Sequence, residues 1–247
     1  MGRIRARAAR PDMNQARFPN PVFVAIDTTD LEYARSLAGR VAPHVGGLKL
    51  GLEFFSAHGP DGVRAFEDIG LPIFLDLKFH DIPNTVAGAV KAVARLGVGI
   101  VNVHASGGAA MMQAALEAAR GVNPRTKVIA VTVLTSLNEG DLLAVGQTPS
   151  SGEQVLRLAQ LARSCGLDGV VCSAHEIAAI RAAIGPDFLL AVPGIRPAGS
   201  DLGDQRRVMG PAEAHRAGAS ILVIGRPITA ASDPALAAHD IAKNLGI

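Results

Sequence analysis

Cysteine is scarce, with only Cys165 and Cys172 among 247 residues. So small a supply excludes a disulfide framework, and neither residue belongs to a recognisable cluster of metal ligands. Both are expected to be buried, inert thiols, and nothing in the sequence supports a metal or a cofactor. Long apolar runs are also missing, since stretches such as 128–133 and 221–224 are far too short to span a bilayer. No membrane span is expected, and the positive mean hydropathy points to a buried sheet.

Charge is sparse, at 19% of the chain against 49% hydrophobic residues. That balance excludes global disorder and suits Ala-rich helices packed on a buried sheet. The formal charge of +2 is uneven. Arg3, Arg5, Arg7, Arg10 and Arg17 against Asp12 give residues 1–17 a net +4, so the remainder carries −2. This arm lacks the apolar core of a secretory signal and the serine enrichment of a transit peptide. It is expected to be a solvated, flexible extension rather than a nucleic-acid-binding arm, with the protein in the cytoplasm.

From residue 18 onward the chain repeats one unit: a short Val/Ile/Leu run, a polar turn, and an amphipathic stretch ending near glycine. The runs are 22–27, 47–51, 72–78, 100–105, 127–134, 169–174, 189–195 and 221–226. Several are apolar almost throughout, as parallel strands buried on both faces must be, and each interval is long enough for a crossover helix. Eight such units predict a single-domain (β/α)₈ barrel over 18–247. A doubly wound open sheet is the alternative, but no GxGxxG follows the first strand to favour it.

In such a barrel the reacting groups stand at the C-terminal ends of the strands. Those ends carry Asp27, Lys49, Asp76 with Lys78, His104, Thr135 with Ser136, Arg196 and Arg226. Strand alternation turns Asp76 and Lys78 to one face while Leu75 and Leu77 face the helices. Alone, Asp-x-Lys reads as a structural ion pair. With Asp27 and Lys49 brought to the same rim, four alternating charges converge where desolvation is expensive, and a functional site becomes the better reading. Asp81 precedes Ile82-Pro83-Asn84 and on local grounds reads as a helix N-cap. His80 and His104 read as packed, hydrogen-bonded histidines. Gly225-Arg226 after the last strand, together with the long glycine-rich segment 193–207 after the seventh, suits a phosphate group. Taken separately, they read as a turn and as a surface loop.

The run Asp76-Leu77-Lys78-Phe79-His80-Asp81-Ile82-Pro83-Asn84-Thr85-Val86 resembles the signature of orotidine 5′-monophosphate decarboxylases. The resemblance continues through Val24-Ala25-Ile26-Asp27, Lys49-Leu50-Gly51, Val131 to Ser136, Pro193 to Pro197, Gly203 to Arg207 and Ile224 to Pro227. It implies a cofactor-free, metal-free decarboxylase in which Lys78 donates a proton to C6 and Asp76 lies against the departing carboxylate. Asp27 and Lys49 would hold the ribose, and Thr135, or its neighbour Ser136, the pyrimidine. Arg196, Gln205, Gly225 and Arg226 would hold the phosphate. Asp81, Ile82 and Thr85 would reach into the neighbouring subunit of a homodimer. A related group, the 3-keto-L-gulonate 6-phosphate decarboxylases and hexulose phosphate synthases, shares Asp-x-Lys-x-x-Asp but uses Mg²⁺. The segments 80–86 and 203–207 favour the nucleotide enzyme over that group, and over a phosphate-binding barrel without chemistry.

Overall fold

β-Branched and leucine-rich runs become eight parallel strands in a computed structural model that describes residues 18–147, 150–197 and 209–247. They are β1 (Val22–Ile26), β2 (Gly47–Leu50), β3 (Ile73–Phe79), β4 (Ile100–His104), β5 (Lys127–Val131), β6 (Gly169–Val171), β7 (Leu189–Val192) and β8 (Ile221–Ile224). Neighbours in sequence pair side by side, and β8 closes onto β1 through Val22 opposite Leu222 and Val24 opposite Ile224. The expected (β/α)₈ barrel is therefore what forms, and the open sheet is not.

The helices that cover the barrel are α1 (Leu31–Val41), α2 (Leu52–Arg64), α3 (Pro83–Ala94), α4 (Gly108–Val122), α6 (Ser151–Ser164), α7 (Ile177–Ile184), α8 (Pro211–Ala217) and α10 (Pro234–Asn244). Two short helices, α5 (Glu139–Ala144) and α9 (Arg226–Thr229), lie in the connections after β5 and β8. Polar residues set several helix starts. Asp30 accepts the Tyr33 N–H ahead of α1, and Ser150 and Glu153 form a reciprocal capping box at α6. Arg196 N donates to Met209 O at 3.0 Å, so the two ends of the long β7–α8 connection are joined at its base.

Two hydrophobic bodies follow from strand alternation. Leu48, Leu50, Leu75, Leu77 and Val101 face the helices, whereas Phe23, Phe74, Ile100, Ile129, Leu189 and Ile221 fill the barrel. Each buried aliphatic or phenylalanine side chain there contributes about 1.5–3 kcal/mol relative to exposure. The interior is thus plugged below the level of Lys49 and Asp76, which leaves the strands' C-terminal mouth as the open end. Seven strands stop one to three residues short of the apolar runs in the sequence, because residues such as Val133, Cys172 and Ile195 stay buried after leaving the ladder. The exception, β3, runs on to Phe79.

Candidate active site

Asp76 stands one inward step above Phe74 on β3, and its carboxylate is the hub of the mouth. Lys78 Nζ donates to Asp76 Oδ1 at 2.6 Å, and Lys49 Nζ from β2 lies 3.5 Å from Oδ2. Lys49 also donates to Asp27 Oδ1, just past β1, at 3.0 Å. The four charges expected to converge therefore form one chain of alternating sign, Asp27–Lys49–Asp76–Lys78. Lys49 and Asp76 are each only 8% exposed, whereas Asp27 opens to solvent. Buried charges of this kind give little net stability, since desolvation consumes most of their attraction.

Burial pushes the Asp76 carboxyl up, but Lys49, Lys78 and hydrogen bonds from Lys78 and Asn102 outweigh it, so the acid is held below its ordinary 3.8. Asp76 is thus a carboxylate at neutral pH. Gly51 makes room for the chain of charges: a methyl group there would lie 2.8 Å from Lys49 Nζ and 3.1 Å from Asp27 Oδ1.

Strand alternation correctly pairs Asp76 with Lys78, yet β3 is not regular here. Leu75 pairs with Val101 and Phe79 with Val103, so residues 76–78 lie opposite Asn102 alone. Within this bulge Lys78 adopts φ 51°, the only left-handed residue other than glycine among those described. Such a conformation costs a bulky side chain about 1–3 kcal/mol and re-aims it. Asn102 was absent from the expected site. It is fully buried, its Nδ2 donates to Asp76 Oδ1 at 2.7 Å, and its Oδ1 accepts the Lys78 N–H at 2.8 Å. Its signal in the sequence was a lone amide inside the apolar run Val101-Asn102-Val103.

A cavity of about 200 Å³ opens above these charges. Lys49, Asp76, Lys78, Thr135, Cys172 and Pro193 are among its walls. Thr135 belongs to the lining, whereas Ser136 is exposed and does not. Both cysteines are buried and unbridged, but Cys172 faces the cavity, which its apolar neighbours in sequence did not suggest. The rings of His80 and His104 stack at 5.3 Å. Burial, then His80 and Lys78, lower His104 below its ordinary 6.5 against an opposing pull from Asp76. Among the described residues, no group of three His, Cys, Asp or Glu side chains could hold a metal ion, and no helix is long and apolar enough to cross a membrane.

Asp81 is not the helix cap that its local context suggests. A residue before proline is driven to extended backbone, so Ile82, with ψ 151°, becomes the N-cap of α3 and makes no side-chain cap bond. Asp81 lies one residue further out, exposed, and its Oδ1 accepts the Ile82 N–H at 2.6 Å. Asp81, Ile82 and Thr85 are all exposed, Ile82 to 67%, and none lines the cavity. At the other rim, Arg196 is buried and its guanidinium donates to Ile195 O at 3.1 Å. Gly225 is the N-cap of α9, and Arg226 is its exposed first residue. Gln205 and the arm 1–17 lie outside the described residues.

Residues 20–241 match the model of the orotidine 5′-phosphate decarboxylase / HUMPS family. A protein of Rhodospirillum rubrum named orotidine 5′-phosphate decarboxylase is 57% identical over 92% of this chain and 94% of its own length. One of the same name from Paramagnetospirillum magneticum is 55% identical over 92% of this chain and 99% of its own. A crystal structure of orotidine 5′-phosphate decarboxylase from Lactobacillus acidophilus superimposes with TM-score 0.81 at 40% identity, covering 92% of this chain and all of that one.

Proposed function

Since the chain belongs to the orotidine 5′-phosphate decarboxylase / HUMPS family, we propose that Lys78 is the proton donor of its reaction and Asp76 the group that faces the departing carboxylate. The reaction is the decarboxylation of orotidine 5′-monophosphate to uridine 5′-monophosphate (UMP) in pyrimidine biosynthesis. Loss of CO₂ from C6 leaves an electron pair with no π system to receive it, so catalysis must stabilise a localised negative charge. A held ammonium does that, and then supplies the proton. The observation that carries the reading is the alternating chain Asp27–Lys49–Asp76–Lys78, in which Lys78 is anchored 2.6 Å from a carboxylate at the cavity wall.

A carboxylate of the substrate brought against ionised Asp76 is disfavoured, and departure of CO₂ relieves that contact while the charge on C6 grows beside Lys78. The cavity, about 200 Å³ among the described residues, has room for the heterocycle. Thr135 contacts the pyrimidine there, Asp27 and Lys49 hold the ribose hydroxyls, and Arg196, Gln205, Gly225 and Arg226 hold the phosphate. Binding of that phosphate organises the charged chain, so its binding energy appears in the rate.

The exposed segment Asp81, Ile82 and Thr85 completes the site of a second copy, making the enzyme a cytoplasmic homodimer. The chemistry needs neither metal nor cofactor. Purified protein given orotidine 5′-monophosphate and a chelator tests the reading: the ultraviolet absorbance of the substrate should be lost with formation of UMP. Conversion that requires Mg²⁺, or binding without conversion, would overturn it.

A further inference from the structure

Asn102 lies in the middle of β4, flanked by Val101 and Val103 and wholly removed from water. An amide in such a place must find partners for both ends or destabilise the strand. Its partners are the two residues on which the reaction turns. Three residues of β3 stand opposite this single residue of β4, so the regular ladder is interrupted there. The side chain of Asn102 fills the interruption, its oxygen taking the Lys78 N–H and its nitrogen donating to Asp76. Rotating the amide by half a turn would set oxygen against carboxylate and nitrogen against N–H, so the partners dictate its orientation.

From this geometry we infer that Asn102 is a positioning residue for decarboxylation, holding the Asp76 carboxylate with one hand and the left-handed backbone of Lys78 with the other. The inference rests on the reading of Asp76 and Lys78 as the reacting pair. Asn102 does not touch the cavity, so it acts only through them. Without its oxygen, the Lys78 N–H loses the acceptor that β4 gives it, and the bulge that aims the ammonium can relax. Without its nitrogen, Asp76 loses the donor fixed to a neighbouring strand and is held by the two lysine ammonium groups, whose flexible side chains set its orientation less firmly. Both losses misplace charge against the transition state, while leaving ribose, phosphate and pyrimidine contacts in place.

Two variants test this. Asn102→Ala removes both bonds. Asn102→Asp keeps the shape and the acceptor for the Lys78 N–H, but sets a like charge against Asp76. Each should lose at least about 30-fold in kcat, the size of a lost hydrogen bond to a charged group. The KM, and the Kd for UMP, which has no carboxylate at C6, should stay within about threefold of the parent. A kcat within about threefold of the parent in either folded variant would overturn the inference. So would a proportionate fall in kcat and UMP affinity, or failure of both variants to fold, since a purely structural role gives those results. Lys78→Ala, measured in parallel, separates the layers. If it is inactive while both Asn102 variants are normal, only the present inference fails; if it is active, the reading beneath fails too.

Discussion

Lys78 Nζ lies 2.6 Å from Asp76 Oδ1 although the Lys78 backbone departs from the strand that carries both, at φ 51°. A regular strand would also have put the two side chains on one face. The bulge and left-handed turn instead fold Lys78 back onto the carboxylate, and Lys49 approaches the other oxygen from β2. The geometry of this ion pair depends on a local break in secondary structure, held by the neighbouring strand.

Gly51 is the first place to probe that geometry. Its missing side chain leaves the space taken by Lys49 Nζ, and a flexible ammonium can retreat from a new methyl group. Gly51→Ala should therefore cost under about 1 kcal/mol in stability, within the range of minor substitutions, yet lower kcat/KM by about tenfold or more as Lys49 leaves Asp27 and Asp76. Thermal unfolding and steady-state kinetics on the same preparation check both halves.

Arg226 tests the contribution of the phosphate end. It is exposed at the start of α9 and is not among the cavity walls, so a purely local view gives it no part in the chemistry. If phosphate binding energy organises the charged chain, Arg226→Ala lowers kcat/KM by several orders of magnitude. A loss under about tenfold, roughly 1.4 kcal/mol, contradicts that coupling.

The titration of His104 sets a pH dependence of stability. Its folded pKa is depressed chiefly by burial, so below its ordinary 6.5 the unfolded chain binds more protons than the folded one. Stability is therefore full above about 6.5 and is lost as pH falls from there through the lower folded value. Asp76, also depressed, adds a second loss only as pH falls below its ordinary 3.8. Denaturant titrations should show a steeper loss as pH falls below about 6.5 for the parent than for His104→Gln. Equal slopes would contradict the assignment.

Sharing of Asp81 between subunits is checked by mixing two inactive variants. In randomly exchanged dimers of Lys78→Ala and Asp81→Ala, half the dimers are mixed and each of those has one unaltered site, so about a quarter of parental activity returns. No recovery after demonstrated subunit exchange contradicts the shared site.

Much of this was legible in the sequence because hydrophobic period and strand-end polarity are local signals. The eight runs, the filled interior and the convergence of Asp27, Lys49, Asp76 and Lys78 follow from alternation and barrel closure. Asn102 is not legible because its contacts with Asp76 and Lys78 depend on a bulge in the adjacent strand, which no pattern within 72–78 announces. Cys172 escaped because an apolar context looks the same whether a thiol faces a helix or a cavity. On local grounds Asp-x-Pro resembles a cap at Asp81, whereas the constraint proline places on Ile82 moves the cap one residue along. Seven strands end short of their apolar runs because burial continues past the last ladder bond.

The role of Lys78 is tested most directly by running its step backwards. The group that delivers a proton to C6 of the product must, by microscopic reversibility, also remove it. UMP incubated with the parent protein in D₂O containing a chelator should exchange its C6 hydrogen for deuterium. Lys78→Ala should bind UMP and show no exchange above the uncatalysed background. Exchange by Lys78→Ala at the parental rate would contradict the account.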